Sequence, residues 1–154
     1  MIGSLLTKEE CRQCRLCCCF DRYDLWATPE IDKALAQKLG EGVELIRVED
    51  HYLMKMKAEG DSYPCPLLDK KTGCILGDEK PFDCRIWPFR LMEFQGRRVL
   101  ALSPDCPVVR ERPMSQIRKT AEQIAEAAFR YADDHPYAVK KYLSDCVIVL
   151  TEKE

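Results

Sequence analysis

The chain has 154 residues, the length of one ordinary domain, and no stretch reads as a linker between two. Its 24 basic and 26 acidic residues leave a formal charge of -2, which removes any global electrostatic reason to expect nucleic acid or an anionic membrane as a partner. No apolar run approaches the roughly 18 residues of a spanning helix. The opening MIGSLLTKEE reaches acidic residues too soon for a signal peptide or anchor, so a cytoplasmic protein is expected.

Thr7-Lys8-Glu9-Glu10 is a T-x-x-E capping box and predicts a helix entering the run EECRQCRLCCCFDRYD. At about 100° per residue, Cys11, Cys14, Cys17 and Cys18 fall within an arc of about 120°, with Cys19 outside it. One helix face could thus carry four thiols. A loop wrapped around a cluster is the competing geometry, and spacing does not decide between the two. Thr28-Pro29 then reads as an N-cap with proline at the first helical position, followed by Ile31, Leu35 and Leu39 on one face and Gly40 as the stop.

From Leu45 to Leu68, short alternating stretches such as Tyr52, Met54 and Met56, broken at Glu59-Gly60-Asp61, predict short strands and turns. FRLMEFQGRRVLAL reads as a hairpin turning at Gln95-Gly96, with Met92 and Phe94 inward on one arm and Leu100 and Leu102 on the other. Pro113 opens the longest helix, in which Ile117, Ala121, Ile124, Ala125, Ala128 and Phe129 recur at helical steps as a core stripe. A break near Asp134-His135-Pro136 precedes a short helix, and Val147 to Leu150 is the expected final strand. The expected fold is a small α+β domain over residues 1–154, with several helices, short antiparallel strands and hairpins, and a loop-rich middle stapled by metal.

The ten cysteines point to that staple. A reducing cytosol gives thiols no use as bridges, so metal or cluster ligation is the leading explanation. Burial as a small hydrophobe suits a lone residue such as Cys146 in SDCVIVLT. Beyond the five in the N-terminal run, Cys65 in YPCPLLDKKTG, Cys74 in GCILGDEKP, Cys84 in FDCRIWPF and Cys106 in SPDCPVV stand in turn-rich contexts. There Pro66, Gly73, Pro88 and Pro107 would keep the backbone in loops where ligands can converge.

Only the N-terminal run contains C-x2-C, which argues against a simple zinc ribbon. His51 and His135 lie away from any cysteine and read as surface or cap residues, so an all-thiolate site is favoured. A soft sulfur set suits zinc or an iron-sulfur cluster, and C-x2-C-x2-C completed by one remote cysteine is the ligand arithmetic of a 4Fe-4S cluster. Cys65-Pro66 and Cys106-Pro107 are candidates for that remote ligand. Arg12, Arg15, Arg22 and Arg85 are placed to offset thiolate charge.

Together, CRQCRLCC, CPLLDKKTGCIL and KPFDCRIWPF resemble the YkgJ-like family of zinc- or iron-chelating proteins, known for its C-x2-C-x2-C-C signature. The resemblance spans residues 11 to 89 with gaps. It implies metal ligation by Cys11, Cys14, Cys17, Cys18, Cys65, Cys74 and Cys84, with Cys106 as a later member, and leaves out Cys19 and Cys146. The chain has Arg15 where that family often has glycine, Gly77 for tyrosine, Trp87 for phenylalanine, and Lys80 for an arginine whose bidentate contacts lysine cannot reproduce.

The expected function is metal binding through cysteine thiolates, with a 4Fe-4S cluster ahead of zinc. The expected partner is a metal ion or cluster; a protein partner is left open, and neither nucleic acid nor membrane is expected. One alternative is an enzyme using the centre, as implied by a lysine-methylating branch that shares the motif. No G-x-G-x-x-G follows a strand, no nucleophile-base pair stands out, and Asp69 and Asp83 read as turn residues. The other alternative is thiol redox exchange or metal delivery through Cys17, Cys18 and Cys19, whose adjacency makes mutual disulfides poor.

Overall fold

The computed structural model describes residues 1–20 and 28–154. The chain is a small α+β domain made of two compact units, one of Cys11–Phe82 and one of Asp83–Glu154 with Met1–Glu10. Among the described residues no helix is long and apolar enough to cross a membrane.

The capping box forms as expected. Thr7 Oγ1 accepts the Glu10 N–H at 3.1 Å, while Glu10 Oε2 accepts the Thr7 N–H at 3.0 Å, and helix α1 runs over Lys8–Cys14. The helix does not carry on through the cysteine run. Arg15 turns left-handed at φ 56°, and its side chain folds back so that Nε donates to the Arg12 carbonyl at 2.7 Å, satisfying one of the orphan groups of the helix end. A 3-10 turn over Leu16–Cys18 leads into strand β1, Cys19–Phe20. Cys17 and Cys18 therefore lie beyond the helix, and the four-thiol helix face is not formed.

In the unit Cys11–Phe82, strand β2 is Glu30–Ile31 and helix α2 is Lys33–Leu39. The helix starts later than Thr28-Pro29 suggests, because Asp32 is the cap: its carboxylate accepts the Leu35 N–H at 2.8 Å. Glu30 and Ile31 are thereby left to pair with a neighbouring strand. Gly40 ends the helix with φ 56°, as expected of a glycine stop. Strands β3, Leu45–Val48, and β4, His51–Met54, complete an antiparallel sheet in the order β2-β4-β3. Ile31, Leu35, Met54, Met56 and Leu67 form the buried core of this unit.

Two further pairings shape its far end. Strand β5, Tyr63–Pro64, runs antiparallel to β1, with Cys19 opposite Pro64 and Phe20 opposite Tyr63. Strands β6, Leu68–Asp69, and β7, Gly73–Cys74, form a tight ladder. Asp69 is the turn residue expected: its carboxylate accepts the N–H groups of Lys71 and Thr72, both at 2.8 Å.

Helix α3, Phe82–Ile86, opens the rest of the chain, and the predicted hairpin follows as β8, Phe89–Phe94, and β9, Arg97–Leu102. Gln95 and Gly96, with φ 52° and 75°, make the mirror-image turn that matches strand twist. Simple alternation fails on β8: Leu91 and Met92 are both buried, while Phe94 is 37 % exposed and packs edge-on against Tyr142. A strand buried on both faces at its start loses the two-residue pattern.

Helices α4, Pro107–Arg110, and α5, Met114–Asp134, come next, then β10, Lys140–Lys141, and β11, Val147–Thr151. On α5 the buried residues are Ile117, Thr120, Ala121, Ile124, Ala128, Phe129 and Ala132, with Ala125 at the edge of the stripe. The sheet order is β10-β8-β9-β11. All its pairings are antiparallel except β10 with β8, a parallel contact made possible by the long connection through α5. His135 caps α5 as expected, its N–H donating to the Tyr131 carbonyl and its ring stacked on Tyr131 at 4.0 Å.

Arg98 ties this unit together. Its guanidinium donates twice to Glu152, at 2.6 and 2.5 Å, and once to Asp133 at 2.7 Å, joining β9 to the end of α5 and to the residue after β11. Replacing Arg98 with alanine should lower unfolding stability by about 1–3 kcal/mol, since the hydrogen bonds are charge-assisted and partly buried; urea denaturation measures it.

Burial alone lowers the Lys140 amine from 10.5 to about 8. Between these values the unfolded chain binds the proton and the folded chain does not, so the contribution of Lys140 to stability rises as pH rises through that window. Subtracting the stability–pH curve of Lys140→Met from that of the wild type should isolate this rise, and a flat difference would contradict it.

Candidate metal centre

The cysteines of the unit Cys11–Phe82 are assembled by backbone pairing. Beyond the β1/β5 ladder, the Cys65 N–H donates to the Cys18 carbonyl at 2.7 Å, which fixes Cys65 beside the N-terminal run. Cys74 sits opposite Leu68 in the β6/β7 ladder, and the Ile75 N–H donates to the Leu67 carbonyl at 2.9 Å. Cys65 and Cys74 both pack against the core cluster and are half-buried, so a folded core holds them in place.

The reversal at Arg15 brings thiols of the run together. The Cys17 and Cys18 sulfurs are 4.0 Å apart. Cys17 is hydrogen-bonded with Cys11 and Cys18, and these two contacts, with burial, push its own thiol far up. The hydrogen bond with Cys17, helped by the Lys80 charge, brings Cys11 down to about 6. Cys18 is lowered by its own contact with Cys17, with Lys80 and Arg15 adding to the effect. Burial raises Cys65 to about 12 and raises Cys74, with the charge on Cys18 pushing both in the same direction. Cys18 thus links the two sets, acting on Cys11 and Cys17 in the run and on Cys65 and Cys74 beyond it, while Cys19 acts on Cys65 as well.

Of the expected cations, Arg15 acts on Cys18, and the stem of Arg12 lies over Gly73, where an added Cβ would meet its Cγ at 3.6 Å. Arg22 lies outside the described residues, and Arg85 belongs to the other unit. The cation that sequence reasoning undervalued is Lys80, whose charge reaches Cys11, Cys18 and Cys74. Its place directly before Pro81 is the signal: a lysine cannot form the arginine fork, but a point charge is enough to stabilise a thiolate.

The remaining candidates are placed as follows. Cys14 closes α1, half-buried, and its thiol has no hydrogen-bond partner among the described residues. Cys84, half-buried in α3, and Cys106, buried ahead of α4, belong to the unit Asp83–Glu154. Cys19 lies on β1 and is raised, chiefly by burial. Cys146 is a buried small hydrophobe as expected, with burial pushing its thiol up to about 11.

Asp83 is not a turn residue: it lies in the first turn of α3, where burial pushes its carboxyl up to about 7. His51 is not on the surface either. It is buried in β4 with Nε2 at 2.9 Å from Oε2 of the buried Glu30 on β2, a pairing between residues 21 apart that no local pattern announces.

Among the described residues, no three Cys, His, Asp or Glu side chains converge tightly enough to enclose an ion as they stand. The donor set nonetheless suits a soft metal: thiolates, a neighbouring ammonium and a guanidinium, and no competing oxygen ligand among the interacting groups. Compared with family models, curated proteins and solved structures, the chain matches none.

In metal-free protein, alkylation of Cys11 should follow a thiolate that titrates at about 6, while Cys65 stays unreactive until far higher pH. Lys80→Met should slow alkylation of Cys11 and Cys18 at neutral pH without slowing that of Cys146. Mass-spectrometric mapping of labelled sites against time checks this.

Proposed function

We propose that the chain binds a metal centre through the thiolates of Cys11, Cys17 and Cys18, completed from Cys65 and Cys74. The observation that carries this reading is the hydrogen-bonded set Cys11, Cys17 and Cys18, whose proton a metal ion would displace, with Cys65 fixed beside it by strand pairing in the same unit. Cys14, Cys84 and Cys106 stay candidates through the resemblance to the YkgJ-like family. A reducing cytoplasm is the compartment in which ten free thiols would remain available to metal.

Two centres fit the donor set. Metal–sulfur bonds of about 2.3 Å in a tetrahedron place sulfurs about 3.8 Å apart. The 4.0 Å between Cys17 and Cys18 supports a single ion such as zinc at that pair. The C-x2-C-x2-C spacing supports a 4Fe-4S cluster instead, which would supply one-electron transfer, whereas zinc would supply a structural tie or a Lewis acid.

Protein purified without oxygen should carry either about one zinc per chain and no labile sulfide, or about four irons with matching sulfide and broad visible absorption. Cys17→Ser and Cys74→Ser should lose most of the metal and Cys19→Ser should keep it. A wild-type chain free of zinc, iron and sulfide would falsify metal binding altogether.

A further inference from the structure

The two edges of the sheet β10-β8-β9-β11 are built differently. The β10 edge is two residues long and both are lysines, a common protection against pairing with another chain. The β11 edge is VIVLT, five residues with no charge and no proline, and no described strand pairs with its outer side. Its ladder to β9 slips between Ile148 and Leu150, which curves the strand but places no charge along it. Val147 is 51 % exposed, and it shares with Met114, 49 % exposed, a shallow groove of about 310 Å³ past the start of the strand, whose lining also includes Arg110, Arg112 and Asp145.

Charge flanks this edge with opposite signs. Asp145 precedes β11 and Lys153 follows it; both are exposed, and neither is in an ion pair among the described residues. Glu152, which lies between β11 and Lys153, is already held by Arg98. If the strand is laid antiparallel on a copy of itself about Val149, Val147 meets Thr151 and Asp145 meets Lys153 of the second copy, and the twofold axis repeats both contacts. The apolar edge and its flanking charges are thus complementary to themselves, the condition for an isologous interface.

We propose that β11 pairs with β11 of a second copy of this chain, so that the two sheets join edge to edge as one continuous sheet across a symmetric dimer. Backbone hydrogen bonds between the open edges supply the attachment, as in strand addition generally. The Asp145–Lys153 contacts set the register.

Sedimentation velocity on the full chain tests this. The wild type should sediment at twice the 17.8 kDa chain mass at micromolar concentration. Asp145→Lys should weaken the dimer about tenfold by opposing two like charges at each end of the ladder. The swap Asp145→Lys with Lys153→Asp should restore it. Val147→Lys, a charge on an exposed edge position, should leave a monomer with unchanged circular dichroism. A wild type that stays monomeric at high concentration overturns the proposal, as does a dimer that neither Asp145→Lys nor Val147→Lys weakens, since its interface then lies elsewhere.

Discussion

The candidate centre depends on one backbone hydrogen bond, from the Cys65 N–H to the Cys18 carbonyl. It prolongs the short pairing of Cys19–Phe20 with Tyr63–Pro64, and so brings together two segments that are nearly fifty residues apart in the chain. Ladders of two residues are weak alone; this one is supported because Phe20 and Tyr63 lean on the core of Ile31, Leu35, Met54, Met56 and Leu67. The position of the thiols is therefore inherited from an apolar core with no role in binding. The half-buried setting of Cys65 and Cys74 follows, and so does the high cost of ionising them.

Around this frame the sulfurs divide into two kinds. Cys11 and Cys18 are lowered by their hydrogen bonds with Cys17, together with Lys80, while Cys17 itself is raised. A soft ion bound as proposed would meet partly formed thiolates there, and Cys65 and Cys74 would still have to give up their protons, which would tie uptake to pH through the remote pair.

Much of the fold was legible from residues alone because its signals are local. The T-x-x-E box, Gln95-Gly96, the α5 stripe from Ile117 to Phe129 and the Asp69 turn all involve partners a few residues apart. The misreadings came where two local signals competed or where the partner was distant. Asp32 outcompeted Thr28 as a cap because Ile31 was needed in the sheet, where it is fully buried. Phe94 faces outward because β8 is covered on both sides only at its start. His51 and Glu30 find each other across a sheet, and Lys80 acts through space on Cys11 and Cys18, more than sixty residues away in sequence, which periodicity does not record. Of the candidate site, the identity of the cysteines was readable and their assembly was not, since that rests on β1 meeting β5.

Arg15 stands in the left-handed conformation that glycine occupies most easily. The arginine tolerates this bend while adding a charge beside Cys18. Because the chain is already bent, capture of an ion as proposed would leave only side chains to rotate. Preorganisation of this kind moves entropy loss from binding to folding. Under the proposed metal binding, discrimination between ions would then rest on how far those side chains can turn on a backbone already set, since among the described residues the sulfurs do not enclose an ion as they stand.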